Sequence, residues 1–465
     1  MTGAVRRGGD SAAAPVLFVM CRKMTPPKFS LLEGDIAPHL RRLSIPLAFG
    51  MLSITLFNLA DTYFISRLGT RELAALGFTM PVGMFFLGIT YGMSVGTASV
   101  ISRVYGEGNF DKVRQMSTDA LVMAAVIALS AALAGVATID IIFPLLGAKP
   151  ALMPLIREYM FVWYLSLPFF GTMIVGNSCM RALGDTGYAS MIMTLMSALS
   201  LLLDPLLIFG WGPFPQMGLT GAAATIVIAY ALTCAYSLYM LAYRRQALSG
   251  VLWHEGSSAS WRRFMHVALP SIFSNQIAPV SAGIITWMAA GYGKEAVAAL
   301  GVASRIEGVC VLVFYAIAAG VSIFSGQNYG AGNFGRIAEA CRIGMRNAII
   351  VGLGMAALIW PFAHDIPRLF DGDATVAGYA AQYLHWVPVS FGAMGALVVV
   401  NAALNAMGKP LAATALIIIR MFVLYVPLAW LLQKHYGFLG IVLALTLTNL
   451  LAGAVSVFAR RQFIR

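Results

Sequence analysis

The hexapeptides Tyr105-Gly-Glu-Gly-Asn-Phe110 and Tyr329-Gly-Ala-Gly-Asn-Phe334 agree at five of six positions and lie 224 residues apart. A single match of this length is within chance, so the period counts only where it recurs. It recurs: Pro46 meets Pro270, Gly69 meets Gly293, Ala74-Ala75-Leu76-Gly77 meets Ala298-Ala299-Leu300-Gly301, Asn177 meets Asn401 and Gly184 meets Gly408. Further on the offset falls to 219, and Gly218 and Gly221 meet Gly437 and Gly440. The chain is two copies of one unit of about 220 residues, so its fold places the same unit twice.

The unit is almost wholly apolar. Charged residues are 11% of the chain, against about 25% in soluble domains. Twelve apolar stretches lie near 43–66, 77–103, 117–144, 158–182, 187–210, 218–243, 266–290, 296–326, 341–363, 377–405, 410–433 and 437–459. Each is long enough to cross a bilayer as a helix, and the glycines and prolines within them are tolerated there. The expected fold is an all-α polytopic membrane protein. Its parts are a tail (1–40), a first six-helix bundle (41–245), a linker (246–263) and a second bundle (264–465). The tail's apolar run Ala12–Met20 is too short to span, and no convincing cleavage site follows it. The five cysteines are scattered without CxxC spacing, which reads as apolar packing rather than disulfide or metal chemistry.

Charge sets the orientation. With the N-terminus inside, 22 Lys and Arg fall on the inner side and 7 on the outer, Arg305 and Arg420 lying within helices. Both termini are therefore expected in the cytoplasm. The net charge of +12 sits in loops on one membrane face and implies no nucleic acid. Six helices per copy is an even number, so the copies share one orientation. They are parallel repeats about an axis along the membrane normal, with a cavity between them. That is a transporter's plan, in which one half rocks against the other.

A carboxylate within the membrane costs about 2.5–3.5 kcal/mol on insertion scales and needs a reason. Asp61 in helix 1 and Asp204 in helix 5 lie at similar depth in the outer part of the first half. The second copy has Ile285 opposite Asp61, and Leu428 or Val423 opposite Asp204. Asn177 on helix 4, Ser200 one turn before Asp204, and Thr225 on helix 6 are expected to complete the site. Thr225 is chosen because its depth matches that of Asp204, with Thr220 as the alternative. Two acids in one pocket titrate as a coupled pair; such a site holds a proton, or a Na⁺ with Asn, Ser and Thr oxygens as ligands. Pro46, fifteen residues before Asp61, lets helix 1 bend. The plainer reading makes Pro46 a helix start and lets the hydroxyls bond their own helix backbones.

In the second half the polar candidates are Glu307, Arg420 and His385. Arg305 and Glu307 are two residues apart and do not share a helix face. Arg420 pairs with Glu307 or contacts backbone carbonyls, and a structural pair is favoured. His385 reads as a satisfied interior histidine. The two Tyr-Gly-x-Gly-Asn-Phe segments read as tight turns at helix ends.

These residues resemble the multidrug and toxic compound extrusion (MATE) family over roughly residues 40–460. The resemblance rests on Asn58-Leu-Ala-Asp61-Thr62 followed by Gly69 and Leu73-Ala-Ala-Leu-Gly77, and on Arg181-Ala-Leu-Gly-Asp185-Thr186. It rests also on Leu203-Asp204-Pro-Leu-Leu-Ile-Phe-Gly210 and Gly326-Gln-Asn-Tyr-Gly330-Ala331. It implies two six-helix bundles set as a V in the bacterial inner membrane, acting as a monomer without cofactor. It also implies efflux of cationic, lipophilic compounds in exchange for H⁺ or Na⁺. In the DinF-like branch the cation site is in the first bundle, and its acids map onto Asp61 and Asp204. Where members often carry Asn this chain has Ser200, which tilts the reading toward H⁺. The acids in helices 7 and 10 of the NorM-like branch are absent here.

The main rival is a flippase for lipids or lipid-linked saccharides, a relative with the same two-bundle plan. An anionic headgroup calls for several cavity Arg or Lys, and only Arg305 and Arg420 are available. A receptor would carry a sizeable soluble domain. An enzyme is not expected, since no HExxH zinc motif occurs.

Overall fold

The computed structural model describes residues 30–368 and 373–464; most of the expected tail, residues 1–29, lies outside them. The first half contains α1 (Ile36–Ser66), α2 (Thr70–Gly106), α3 (Phe110–Leu145), α4 (Met153–Ala182), α5 (Thr186–Phe209) and α6 (Gly218–Tyr239, prolonged by a π turn over Met240–Arg244). The second half contains α7 (Ser257–Ala290), α8 (Lys294–Gly330) and α9 (Phe334–Ile359). It continues with α10 (Ala374–Trp386 and Phe391–Ala406 across a 3-10 turn), α11 (Pro410–Ile418 and Val426–Tyr436 across a π turn, Ile419–Tyr425) and α12 (Phe438–Phe463). The described residues hold helices and loops but no strand.

Eleven of these helices are long and apolar enough to cross a membrane. The twelfth, α7, has the length, at 34 residues, but is interrupted by Ser271, Ser274, Asn275 and Gln276. Each of these four side chains finds a hydrogen-bond partner within the protein, as a span in lipid requires. Ser274 Oγ and Thr414 Oγ1 of α11 are 2.8 Å apart, Asn275 Nδ2 donates to Ser271 O at 3.0 Å, and Gln276 Nε2 donates to Phe85 O of α2 at 3.0 Å.

The halves meet along α2, α8 and their partners α7 and α1, and the seam obeys the sequence period. A Cβ on Gly106 would lie 1.9 Å from the carbonyl oxygen of Gln327, and one on Gly330 would lie 1.9 Å from that of Arg103. Under the 224-residue offset these two contacts are one contact seen twice. Ser102 and Gly326, equivalent to each other under the same offset, touch directly: a Cβ on Gly326 would come within 1.9 Å of Ser102 Oγ. The pseudo-twofold axis passes between them. Gly92 and Gly96 of α2 press against Ile272 and Ala268 of α7, while Gly320 of α8 presses against Ser44 of α1. Small residues let membrane helices approach this closely.

These contacts all lie toward the side where both described ends of the chain emerge. Asn328 donates to Leu31 O, and Lys409 donates to Phe463 O. Toward the far side the halves part: a Cβ on Gly77, Gly283, Gly301 or Gly308 would meet nothing within 4 Å. Gly308 and Gly326 are eighteen residues, or five helical turns, apart on one face of α8. One face of that helix is thus in the seam at one end and open at the other. The result is a V, joined on the terminus side.

The two cores differ. The second half and the first turns of α1 share one large cluster around Phe314, Phe324, Phe391 and Tyr425. The first half is divided into a terminus-side cluster around Ile101 and Met180, a middle one around Phe170 and Met196, and a far-side one around Phe143 and Ile208. Cys179, Cys234, Cys310 and Cys341 are free thiols, as the scattered spacing suggests; Cys21 lies outside the described residues.

Candidate functional site

The acids occupy the break between the middle and far-side clusters of the first half. Along α5, Ile192 and Met196 belong to the middle cluster and Ile208 to the far one. Ser200 and Asp204, one turn apart on one face, lie between them and are fully buried. Asp61 reaches the same break from α1, and Thr225, also fully buried, from α6. The two carboxyls act electrostatically on each other, and Thr225 turns its hydroxyl toward Asp204.

These oxygens lack hydrogen-bond partners of good geometry: Asp61 Oδ1, both carboxylate oxygens of Asp204, Ser200 Oγ and Thr225 Oγ1. A buried polar atom left unpaired costs about 1–3 kcal/mol, more when charged. Five oxygens from three helices, with no Lys, Arg or His hydrogen-bonded to them among the described residues, are a donor set able to hold a proton or a small hard cation. The donor set fits Na⁺ in kind. No cluster of three or more His, Cys, Asp or Glu suited to a metal ion occurs among the described residues.

Asn177 is not part of this set, contrary to expectation. Its Nδ2 donates to Ala189 O at 3.3 Å, near the start of α5. Asp204 lies fifteen residues further on, roughly 22 Å along the helix. Its repeat mate behaves alike, with Asn401 Nδ2 donating to Ala413 O at 2.7 Å. The pair ties neighbouring helices in both halves. Tyr159 of α4 holds the place assigned to Asn177: it is buried and feels both Asp61 and Asp204. Tyr230 of α6 also feels Asp61. Matching depth, the criterion that selects Thr225, selects Tyr159 too, six residues into α4. Repeat identity selects Asn177 because scaffold residues are what a duplication keeps alike.

Pro46 lies inside α1 rather than at its start. As an imino acid it cannot bond to the carbonyl of Arg42, and Thr186 Oγ1 of α5 donates there instead at 3.3 Å. Ser190 Oγ donates to Pro46 O. The second half repeats the device, Thr414 Oγ1 donating to Pro270 O at 3.2 Å. A helix weakened at proline is clamped by hydroxyls from its neighbour, in both copies.

In the second half Tyr383 Oη donates to Glu307 Oε2. Arg420, in the π turn of α11, donates through Nε and Nη2 to Asn449 Oδ1 at 3.1 and 2.8 Å. Asn449 Nδ2 donates in turn to Ser390 Oγ at 3.0 Å. Arg420 faces Glu307 electrostatically without a close ion pair, and its hydrogen bonds go to an amide side chain rather than to backbone carbonyls. His385 is outside this network. It is half-buried, its Nδ1 lies 2.8 Å from Ala381 O, and its ring is near those of His364 and Trp360. Tyr383, two residues earlier, is what faces Glu307.

The sequence reading also misses Asp119, buried on α3. Ser257 Oγ donates to its Oδ1 at 2.7 Å, Trp261 Nε1 donates to its carbonyl at 3.1 Å, and His254 Nδ1 lies 3.6 Å from Oδ1. This group fastens the start of α7 to the first half. The repeated hexapeptides are turns, as expected, with Tyr105 against Phe110 and Tyr329 against Phe334. They also supply the seam glycines Gly106 and Gly330.

Comparison with known proteins agrees with this architecture. A family model described as MatE matches residues 46–206 and again 270–431, its two matches beginning at the paired prolines. A protein of Shewanella oneidensis described as a FAD transporter is 34% identical over 436 residues, covering 94% of this chain and 96% of that protein. The probable multidrug resistance protein YpnP of Bacillus subtilis is 23% identical, with 89% and 93% covered. The crystal structure of the Vibrio cholerae MATE transporter VcmN in the bent form superposes with a TM-score of 0.88 at 29% identity, covering 92% of this chain and 96% of that one.

Proposed function

This chain belongs to the MATE family of membrane transporters, and on that premise we propose that it is a cation-coupled efflux antiporter. H⁺ or Na⁺ bound at Asp61 and Asp204 drives export of an organic compound through the cleft between the halves. The observation that carries this reading is the set of unpartnered, mutually interacting carboxylates buried in one half only.

The excess of Lys and Arg on the terminus side supports a cytoplasmic location for both ends. The conformation described is then open to the outside. In it, a cation reaches the break in the first half's core and neutralises the pair. Asp61 rides on α1, whose only joint is the clamped Pro46, so charge at the acids and the bend of α1 are mechanically linked. Cation and substrate need not touch; each has only to favour a different state.

For the substrate, relatives named for multidrug resistance support a range of drug-like compounds, and the sequence resemblance points to cationic, lipophilic ones. The FAD transporter at 34% identity supports a second reading, an anionic aromatic dinucleotide. Arg305 favours the second: it is exposed on α8 within about a turn of Gly301 and Gly308, the open face of the cleft.

Reconstitution into proteoliposomes tests both points. Flux of ethidium and of FAD is measured under an imposed pH gradient and, separately, under a sodium gradient. The expected result is gradient-driven flux in the wild type that collapses in Asp61→Asn and in Asp204→Asn. Wild-type flux in both variants would sink the coupling mechanism. Transport of ethidium without FAD would remove the dinucleotide reading alone.

A further inference from the structure

A cavity of about 700 Å³ opens at the seam on the terminus side. Its walls come from both halves: Arg103 of α2 and Lys112 of α3, Arg262, Arg263 and His266 from the first turns of α7, and Tyr329 at the end of α8. Glu107 is the one acid in the lining, and it lies 3.8 Å from Lys112, both partly exposed. Glu107 also acts electrostatically on Arg103, so one acid faces three arginines and a lysine in one space.

Arg103 is fixed in place. Its Nε donates to Ser99 O at 3.1 Å. Its guanidinium lies against Gly408 of the second half, where a Cβ would come within 2.4 Å of Nη1. Arg262 and Arg263 are exposed and belong to no ion pair among the described residues. Topology alone asks only that basic residues stand somewhere on this side. It does not ask that arginines from two halves converge on one cavity, with a glycine leaving room for the deepest.

Planar guanidinium forks converging from two directions match the oxygens of a phosphate group. We propose that this seam cavity binds a phosphate group, and that the bound anion ties α2 to α7 and α8 and so holds the halves joined on the terminus side. A ligand that needs both walls at once is bound only in the joined state and shifts the population toward it. The phosphate is carried either by a free organic phosphate or by the headgroup of an anionic lipid in the adjacent leaflet. The site is separate from Asp61 and Asp204 and does not depend on what they bind.

The full chain in phosphatidylcholine nanodiscs is titrated with inorganic pyrophosphate, binding being followed calorimetrically. In a second arm the nanodiscs contain phosphatidylglycerol, and lipid retained by the protein is counted by native mass spectrometry. Each arm is repeated with the double variant Arg262→Gln/Arg263→Gln, whose thermal midpoint should match the wild type because both side chains are exposed. Asp204→Asn serves as a control and should bind as the wild type does. With two of the three converging guanidinium groups removed, the double variant should bind at least about tenfold more weakly. Saturable pyrophosphate binding lost in the double variant identifies a free phosphate. Phosphatidylglycerol retention lost in the double variant, without pyrophosphate binding, identifies a lipid. Binding in neither arm, or equal binding by the double variant, overturns the proposal.

Discussion

In the second half Glu307 accepts a hydrogen bond from Tyr383, and Arg420 donates to Asn449, whose amide reaches Ser390. In the first half Asp204 is fully buried, more so than Glu307 or Arg420, yet among the described residues neither its oxygens nor the hydroxyls of Ser200 and Thr225 make a hydrogen bond of good geometry. One fold, used twice, thus buries charge in two ways. Where donors and acceptors match, the network closes and the core around it stays continuous. Where they do not, the core is interrupted and the carboxylate oxygens lack partners of good geometry among the described residues. The closed network holds a shape; the open one is where we propose that a cation binds.

The contrast predicts opposite phenotypes. The largest effect is expected at Asp204→Asn and Asp61→Asn. Each should reduce gradient-driven flux to background in proteoliposomes while leaving the thermal midpoint unchanged or higher, because an unpaired charge is removed from the interior. The sign with pH follows for the H⁺-coupled case: efflux should fall as the pH on the far side rises, since the acids there are loaded less. Efflux that is indifferent to far-side pH yet sodium-dependent would mark Na⁺ as the coupling ion.

Arg420→Met in the second half should do the reverse. It strands the buried Asn449 Oδ1, which accepts both of its hydrogen bonds, at a cost of about 1–3 kcal/mol. The thermal midpoint should drop, while the ion-to-substrate ratio of whatever protein folds stays that of the wild type. A changed ratio would give the second half a share in coupling and break the contrast.

The seam offers a test of symmetry rather than of difference. Gly106→Val and Gly330→Val should hinder closure on the terminus side equally, since each drives a side chain into the other half's backbone. Spin-label distances across the far side of α2 and α8 should shorten to the same extent in both. The smallest effect is expected at the proline clamps. Ser190→Ala and Thr414→Ala each remove one hydroxyl bond to a proline carbonyl and should cost about 1 kcal/mol in stability. Only the first should alter transport, because only α1 carries an acid.

The duplication, the helix count, the common side of the described chain ends and the two unmatched acids were all readable in the sequence. Each depends on local composition or on a period along the chain, and the bilayer leaves a long apolar segment little choice but a helix. Ser200 and Thr225 were legible too, by helix spacing and depth. Asn177 was misplaced, and Tyr159, Tyr230 and Asp119 were missed, because which side chain faces which across a bundle depends on rotation and crossing of helices far apart in the chain. The basic seam cavity was hidden for the same reason: Arg103 and Arg262 are separated by more than 150 residues and share a wall only once the halves close. Composition and period along the chain determined what this protein is built from. Packing between distant segments alone decided which acids stand unpartnered and which arginines stand together.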